Sequence, residues 1–262
     1  MIGITGFKGV LGSIICEKLK ESNENFSVFE GDIRDSDLLY HWMNSNNIDT
    51  MIHLASKVAV TDVENNLDEA YDVNVNGTIS LIKSIKKLNK SIYLFYASSS
   101  HVYASNENLI KETDTTLPQN SYGLTKYISE LLLQDFCKSN KFLTLCIGRI
   151  FSFYHDTQKP PFLYPTLKKR FENEDLNAPF VLHGANSTRD FLPAEEVCSI
   201  IIKIVDRHAC GILNIASGKP IKIIDFVKNI APVNLNFKIN LEEKTNHLNA
   251  DITLLNSIIE ND

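Results

Sequence analysis

The sequence has no cysteine pair at the spacing of a metal or redox motif. Its five cysteines (Cys16, Cys137, Cys146, Cys198, Cys210) are scattered and odd in number. That argues against a zinc site and a disulfide framework, and it fits reduced thiols in a cytoplasmic protein. No stretch reaches the roughly 18 consecutive apolar residues that a membrane-spanning helix needs. A basic excess is missing too: 26 Lys and Arg stand against 32 Asp and Glu, for a net charge of −6. This excludes a nucleic-acid binder that works through a general basic field. A few local cations would still suffice to grip a diphosphate. There are no internal repeats and no low-complexity linker. The first apolar strand starts at Met1, so no secretory leader is expected.

What is present is ordinary globular composition, 44% hydrophobic and 22% charged. At 262 residues the chain is long for one core and short for two. One large domain plus a small subdomain is expected.

The first dozen residues organise the rest. Met1-Ile2-Gly3-Ile4 is a short apolar strand, Thr5 to Gly12 a glycine-rich turn, and Ser13 to Leu19 a helix with Ile15, Cys16 and Leu19 on one face. Gly6 would let the chain turn off the strand, Gly9 would let backbone approach a pyrophosphate, and Gly12 would let the helix pack closely on the sheet. The helix N-terminus would offer free N–H groups and a positive dipole end to phosphates. A strand–turn–helix context is what gives such glycines a dinucleotide-binding reading.

Phe26 to Glu30 reads as a strand, followed by Gly31-Asp32-Ile33-Arg34-Asp35 and a helix over 36–46 that Asp35 or Ser36 would cap. Asp49 to Ser56 is a strand running into a loop. His53, at its buried end, reads as a packed and hydrogen-bonded residue with no catalytic part. Residues 65–88 are helical. Ile92 to Ala97 is a buried strand, and Ser98-Ser99-Ser100-His101-Val102-Tyr103 follows it. Tyr122 and Lys126 stand four apart on a predicted helix, which puts both on one face, one turn apart. A phenol near pKa ~10 is a poor base at neutral pH. An ammonium one turn away would favour the phenolate.

The G-x-x-G-x-x-G turn of Gly6, Gly9 and Gly12, the serine run before Val102-Tyr103, the Tyr122-Gly123-Leu124-Thr125-Lys126 segment and Arg189-Asp190-Phe191-Leu192 resemble the extended short-chain dehydrogenases/reductases. Within them they resemble the NAD-dependent epimerase/dehydratase family, which acts on nucleotide sugars. The resemblance implies an α/β fold: a Rossmann-type doubly wound, mostly parallel sheet with a small C-terminal substrate-binding subdomain. Residues 1–150 would form the dinucleotide-binding domain, with a return segment near 180–215. Residues 151–262 would form mainly the substrate subdomain, shortened at its end.

NAD or NADP is the implied cofactor. It would be held by Gly6, Phe7, Lys8, Gly9, Val10, Leu11 and Gly12, by Asp32 and Ile33 at the adenine, by Leu54, Ala55 and Ser56, and by Tyr122, Lys126 and Phe151. The implied catalytic residues are Ser99, Tyr122 and Lys126: Tyr122 moves the proton, Ser99 holds the same oxygen, and Lys126 also bonds the nicotinamide ribose. A nucleotide sugar would lie against Ser99, Ser100, Ser152 and Arg189, with Arg189 on the diphosphate. The structural alternative for Arg189 is an ion pair with Glu195. No metal is implied, and a homodimer formed through the 65–88 and 122–139 helices is.

Four departures shape the functional reading. The usual second strand is shortened or merged into Phe26 to Glu30, so that Glu30 is a candidate acidic reader of the adenosine ribose and the choice between NAD and NADP stays open. The carboxylates that family dehydratases carry after the catalytic Ser or Thr are replaced by Ser100 and His101. His101 stands where keto-sugar 3,5-epimerase/reductases carry an acid/base cysteine, and His155 lies near where they carry a histidine. The chain runs only a short way past Ala250-Asp251-Ile252-Thr253, which implies a lid that is reduced or supplied by a neighbouring subunit. Reduction of a 4-keto sugar is the leading expectation, a C4 epimerase with tightly held NAD the second, and a non-catalytic nucleotide sensor the third.

Overall fold

The computed structural model describes residues 1–240 and 242–260. Six strands build the main sheet: β1 (Ile2–Thr5), β2 (Phe26–Val28), β3 (Thr50–His53), β4 (Ile92–Ser99), β5 (Leu143–Ile150) and β6 (Gly211–Ile215). Their order is 2-1-3-4-5-6, and every neighbouring pair is parallel. The order reverses between β1 and β3. In such sheets a ligand lies outside the carboxyl ends of the strands at that switch point.

Both faces of the sheet are covered, so its strands read as nearly continuous apolar runs. The period of two is nevertheless clear in β4. Tyr93, Phe95 and Ala97 point to one core with Ile4, Ile52 and Cys146, whereas Ile92, Leu94 and Tyr96 point to the other with Met51 and Ile147. The first face is packed by α1 (Val10–Glu21) and by the helix Ala194–Asp206, through residues such as Ile15, Leu19, Ile201 and Ile204. The second is packed by α2 (Ser36–Ser45), α3 (Gly77–Leu88) and α4 (Ser121–Ser139), through Leu39, Met43, Leu81, Ile85 and Leu133. The doubly wound expectation is met.

β2, of three residues, is the single strand between α1 and α2 and forms an edge of the sheet. It is the shortened second strand that the sequence implied. Trp42 of α2 anchors it, its indole N–H donating to Ser27 Oγ at 2.9 Å. Asp35 caps α2, accepting from the backbone N–H groups of Asp37 and Leu38.

A second, smaller layer lies beyond the main sheet. Thr188–Arg189 sits between Ile221–Lys222 and His247–Ala250, and Asn106–Ile110 extends the same sheet on the far side of His247–Ala250. A strand from the first half of the chain therefore completes this sheet. Asn214 at the end of β6 ties the layers together. Its amide N–H groups donate to the Ile110 and Asp251 carbonyls, and its Oδ1 accepts from the Tyr103 hydroxyl at 2.7 Å. Leu167, Phe180, Leu182, Phe226 and Val227 form a separate small core, in which Phe191 and Phe226 stack 3.9 Å apart.

Candidate active site

The cradle is built first, by backbone. Gly6 has φ +73°, and a Cβ there would come within 2.6 Å of the Ala55 nitrogen. No other residue type suits that turn. A Cβ on Gly12 would lie 2.3 Å from the Gly6 carbonyl oxygen and 2.6 Å from Phe7 Cα. Gly12 thus packs against the turn itself rather than against the sheet, where the sequence reading put it. The first helical bond of α1 runs from Ser13 N–H to Gly9 O at 2.9 Å, so the N–H groups of Val10, Leu11 and Gly12 have no helical acceptor. Gly9 supplies no side-chain cap, and the first turn carries no acidic residue. The geometry fits a bound diphosphate: an uncapped helix N-terminus behind a turn that side chains would close.

The other implied cofactor residues are spread around this cradle. Phe7, Val10, Leu11 and Leu54 are half-buried, and their side chains pack against the first core. Lys8 is exposed. Ala55 and Ser56 are half-buried beyond β3. Asp32 is exposed and accepts from Arg34 Nε at 2.9 Å, and Arg34 holds its carboxyl down to about 2. The Ile33 side chain lies in the second core against Gly77, so only its backbone can face a ligand. Phe151 is buried against Tyr103, with ring centroids 6.2 Å apart. Glu30 is exposed just past the end of β2.

The post-β3 loop is fixed by Asn74, in the π-helical turn Asp72–Asn76. Its Oδ1 accepts from Ser56 Oγ and from the Lys57 N–H, and its Nδ2 donates to Lys57 O and to Thr125 Oγ1 of α4. One buried amide therefore ties the cofactor-side loop to the helix that carries Tyr122 and Lys126. Thr78 and Ser129 hydroxyls donate to the Asn74 carbonyl, which the π turn frees from the ordinary helical pattern. The sequence reading, that Asn74 anchors a kink or a neighbouring loop, holds in both senses.

Ser99, at the end of β4, and Tyr122 and Lys126, on α4, are all buried. Burial pushes the Tyr122 phenol up to about 12, with a hydrogen-bonding contribution from Ser99 opposing it. The expected lowering of the phenol by Lys126 is not achieved by the chain alone. The ammonium itself is driven down to about 7 by burial, with the Glu130 charge opposing. Lys126 Nζ donates to the Ala97 carbonyl at 2.8 Å and lies 5.0 Å from the Tyr96 ring centre. One of its three N–H bonds is satisfied this way, leaving two for a ligand.

Behind Lys126 lies a buried ion pair that sequence reasoning missed. Arg149 Nη2 meets Glu130 Oε2 at 2.7 Å, with both side chains at most 3% exposed. Arg149 Nε and the Ser98 hydroxyl also donate to the Glu130 carboxylate. Arg149 lies 4.6 Å from the Tyr103 ring centre. The one available signal was Glu130 standing a turn beyond Lys126 on the same helical face.

Gly123 was missed as well. A Cβ there would come within 2.1 Å of the His101 carbonyl oxygen. Only glycine lets the start of α4 approach the post-β4 loop this closely, which brings Tyr122 to Ser99. His53 is buried, bonded to Thr5 Oγ1 at 2.9 Å and stacked on Tyr96. Burial pushes it down to about 3. It is a packed residue, as expected.

On the substrate side, Ser100 is buried and Ser152 half-buried. Arg189 Nη1 donates to the Thr188 and Asn246 carbonyls at 2.8 and 2.7 Å. Its guanidinium meets no carboxylate among the described residues, and burial pushes it down to about 10. The alternative Arg189–Glu195 pair is not made. Glu195 instead meets His155 Nε2 at 3.1 Å. The other ring nitrogen of His155 accepts from the Thr157 backbone N–H, so this histidine is engaged on both sides.

The profile of the GDP-mannose 4,6 dehydratase family matches residues 7–253. The chain belongs to this family, among the extended short-chain NAD-dependent epimerases and dehydratases. The matched span takes in the cradle from Phe7 onward, the Tyr122–Lys126 helix and Arg189. The UDP-glucose 4-epimerase of Mycoplasma genitalium is 27% identical over 91% of this chain and 84% of its own length. A dTDP-D-glucose 4,6-dehydratase of Dictyostelium discoideum is 30% identical over 80% of this chain and 51% of its own length. Among solved structures, RMD from Pseudomonas aeruginosa complexed with NADPH superposes with a TM-score of 0.87 at 20% identity, covering 99% of this chain and 92% of that one. The Thermus thermophilus UDP-glucose 4-epimerase complex with NAD gives 0.83 at 17%, covering 98% and 92%. Among the described residues of the family member presented here, no helix is long and apolar enough to cross a membrane, and no cluster of His, Cys, Asp or Glu could hold a metal ion.

Proposed function

We propose that the protein is an NAD(P)-dependent oxidoreductase of nucleotide-linked sugars, with reduction of a 4-keto group as its net reaction. What supports the reading is the burial of Ser99, Tyr122 and Lys126, with Ser99 hydrogen-bonding to the Tyr122 phenol and Lys126 held on the Ala97 carbonyl of β4, together with the uncapped, glycine-lined turn before α1. A bound nicotinamide dinucleotide would supply the hydride and, when oxidised, a positive charge near the phenol. Gly6 to Gly12 would hold its diphosphate. Lys126, with two N–H bonds to spare, would hold its ribose hydroxyls.

In the reductive direction, Tyr122 gives its proton to the sugar oxygen as the carbonyl becomes an alcohol. Ser99 holds that oxygen in line. A phenol raised to about 12 keeps its proton at neutral pH and so begins in the state that reduction needs. Arg189, with no carboxylate partner among the described residues, would meet the sugar diphosphate, whose oxygens suit its planar fork. Dehydration is disfavoured, because Ser100 and His101 supply no carboxylate pair in the post-β4 loop.

The edge of the sheet supports exchangeable cofactor. β2 has three residues, and Glu30 to Asp32 lie exposed past its end. A reductase must release its oxidised dinucleotide each turn. The second reading, a C4 epimerase that keeps its NAD, is favoured by the Mycoplasma genitalium relative. Incubation with 4-keto sugar nucleotides and NADH or NADPH tests the choice. Net oxidation of added cofactor supports the reductase, and epimerised product with no net cofactor change supports the epimerase. Tyr122→Phe should cut turnover about 10²- to 10⁴-fold while dinucleotide binding persists. Unchanged turnover would remove Tyr122 from the chemistry, and a wild type that binds the dinucleotide yet turns over no sugar nucleotide would leave a nucleotide-sensing module. A homodimer through the 65–88 and 122–139 helices remains part of the proposal, and sedimentation tests it.

A further inference from the structure

The turn that starts α4 reaches back onto the loop that follows β4. Asn120 caps the helix: its Oδ1 accepts from the Gly123 backbone N–H at 2.8 Å. A backbone N–H can only donate, which fixes how this amide is turned. Its Nδ2 therefore faces the other way, and there it meets His101 Nδ1 at 2.8 Å. An amide NH₂ can only donate as well, so Nδ1 accepts and carries no proton. A neutral imidazole has one N–H, and here it must sit on Nε2.

The rest of the geometry holds this ring in the site. It packs edge-on against Tyr122, with centroids 5.6 Å apart and planes at 63°. The loop beneath it cannot relax away, because Gly123 is pressed against the His101 carbonyl. Among the described residues His101 Nε2 meets no hydrogen-bond partner, and in this half-buried side chain the atom is not fully sealed from solvent. It is open to a ligand. Burial and the nearby Arg189 charge push the imidazole down to about 4, which keeps it neutral at physiological pH.

We propose that His101 is a fixed hydrogen-bond donor to the sugar. Its Nε2–H would bind an oxygen on the ring carbon next to the one that Tyr122 serves, and Asn120 is the positioning residue that sets the tautomer. The proposal rests on the sugar-oxidoreductase reading above. It also separates His101 from general-base chemistry. A nitrogen that already holds its proton cannot take one from a carbon beside a carbonyl. His155, tied to Thr157 and Glu195, offers no free partner base. The substrate class that fits carries an acceptor oxygen beside the reacting carbon, and a deoxy sugar at that position fits poorly.

The tautomer is read directly by long-range ¹H–¹⁵N spectra of protein labelled at histidine. His101→Gln identifies the His101 signals among those of the seven histidines. The expected spectrum shows a protonated Nε2 and a bare Nδ1. Asn120→Asp keeps an oxygen for the Gly123 N–H, so the cap and the melting temperature should persist, but it puts an acceptor opposite His101 Nδ1. That variant should move the proton to Nδ1 or charge the ring. A wild-type spectrum with the proton on Nδ1, or one that Asn120→Asp leaves unchanged, would overturn the assignment without reference to any substrate. For the sugar contact, kcat/KM should fall about 10- to 100-fold in His101→Leu. It should recover most of that loss in His101→Gln, whose side chain restores a donor. Equal kcat/KM in wild type and His101→Leu would overturn the donor role. Loss of all activity on sugar nucleotides in the wild type, with the tautomer intact, would instead count against the oxidoreductase reading.

Discussion

Replacing Lys126 by Met should stabilise the cofactor-free protein while abolishing its chemistry. Lys126 is 3% exposed, and burial takes its ammonium from 10.5 to about 7. One pKa unit corresponds to ~1.4 kcal/mol, so carrying this charge into the fold costs at most about 5 kcal/mol. The substitution also removes the bond to the Ala97 carbonyl, which takes back about 1–2 kcal/mol. Glu130 keeps its Arg149 and Ser98 partners throughout. A net gain of about 3 kcal/mol remains, and at ~2–4 °C per kcal/mol the melting temperature should rise by about 6–12 °C. A base with a depressed folded pKa burdens the fold fully below that pKa, near 7 here. The burden shrinks as pH climbs and is gone near 10.5, where the unfolded chain has also lost its proton. Thermal melts of dinucleotide-free wild type and Lys126→Met, followed from about pH 6 to 9, read both the size and the slope. A variant that melts lower than wild type at pH 6, or a gap that does not narrow toward pH 9, would refute the reasoning.

Two further substitutions probe the charges around the site. Glu130→Gln leaves Arg149 buried without its counter-ion and should cost about 3–5 kcal/mol; thermal melts should show a drop of at least about 6 °C, and an unchanged melt would mean that the pair is not buried as described. Arg189→Met should raise KM for a sugar nucleotide about 10- to 100-fold by removing charge-assisted bonds, with dinucleotide affinity unchanged. A KM equal to that of wild type would remove Arg189 from the diphosphate site.

The parts of the fold that were legible in the sequence are those where one residue type answers one backbone demand. Gly6 is needed at φ +73°, and three glycines between a strand and a helix announce the turn. Asp35 capping α2 and the alternation in β4 are local signals of the same kind. What was not legible depends on partners far away in the chain. Gly123 looks like an ordinary helical glycine until the His101 carbonyl lies against it. The strand Asn106–Ile110 is polar and mostly exposed, so no periodicity marks it. It exists because His247–Ala250 arrives to pair with it. The hydrophobic pattern of α4 also misleads. Leu131 is exposed, whereas Tyr122, Thr125, Lys126, Ser129 and Glu130 are buried. A periodicity search for an apolar stripe misses a buried face made of polar residues.

That polar face explains how one helix can carry both the reactive phenol and its support. Tyr122, Lys126 and Glu130 follow at intervals of four, so they form a line running inward from the post-β4 loop. The innermost member is fully compensated: Glu130 receives Arg149 and Ser98. The outermost, Tyr122, is neutral by virtue of burial. The middle one is left partly unpaired, holding a single carbonyl and feeling Glu130 only at a distance. A site optimised for stability alone would pair Lys126 or replace it. Leaving it short of partners costs the free protein stability, and that deficit is what a ribose hydroxyl bound at Nζ would relieve. Binding of a dinucleotide should therefore raise the melting temperature of wild type by more than it raises that of Lys126→Met when thermal melts are compared at the same free dinucleotide concentration.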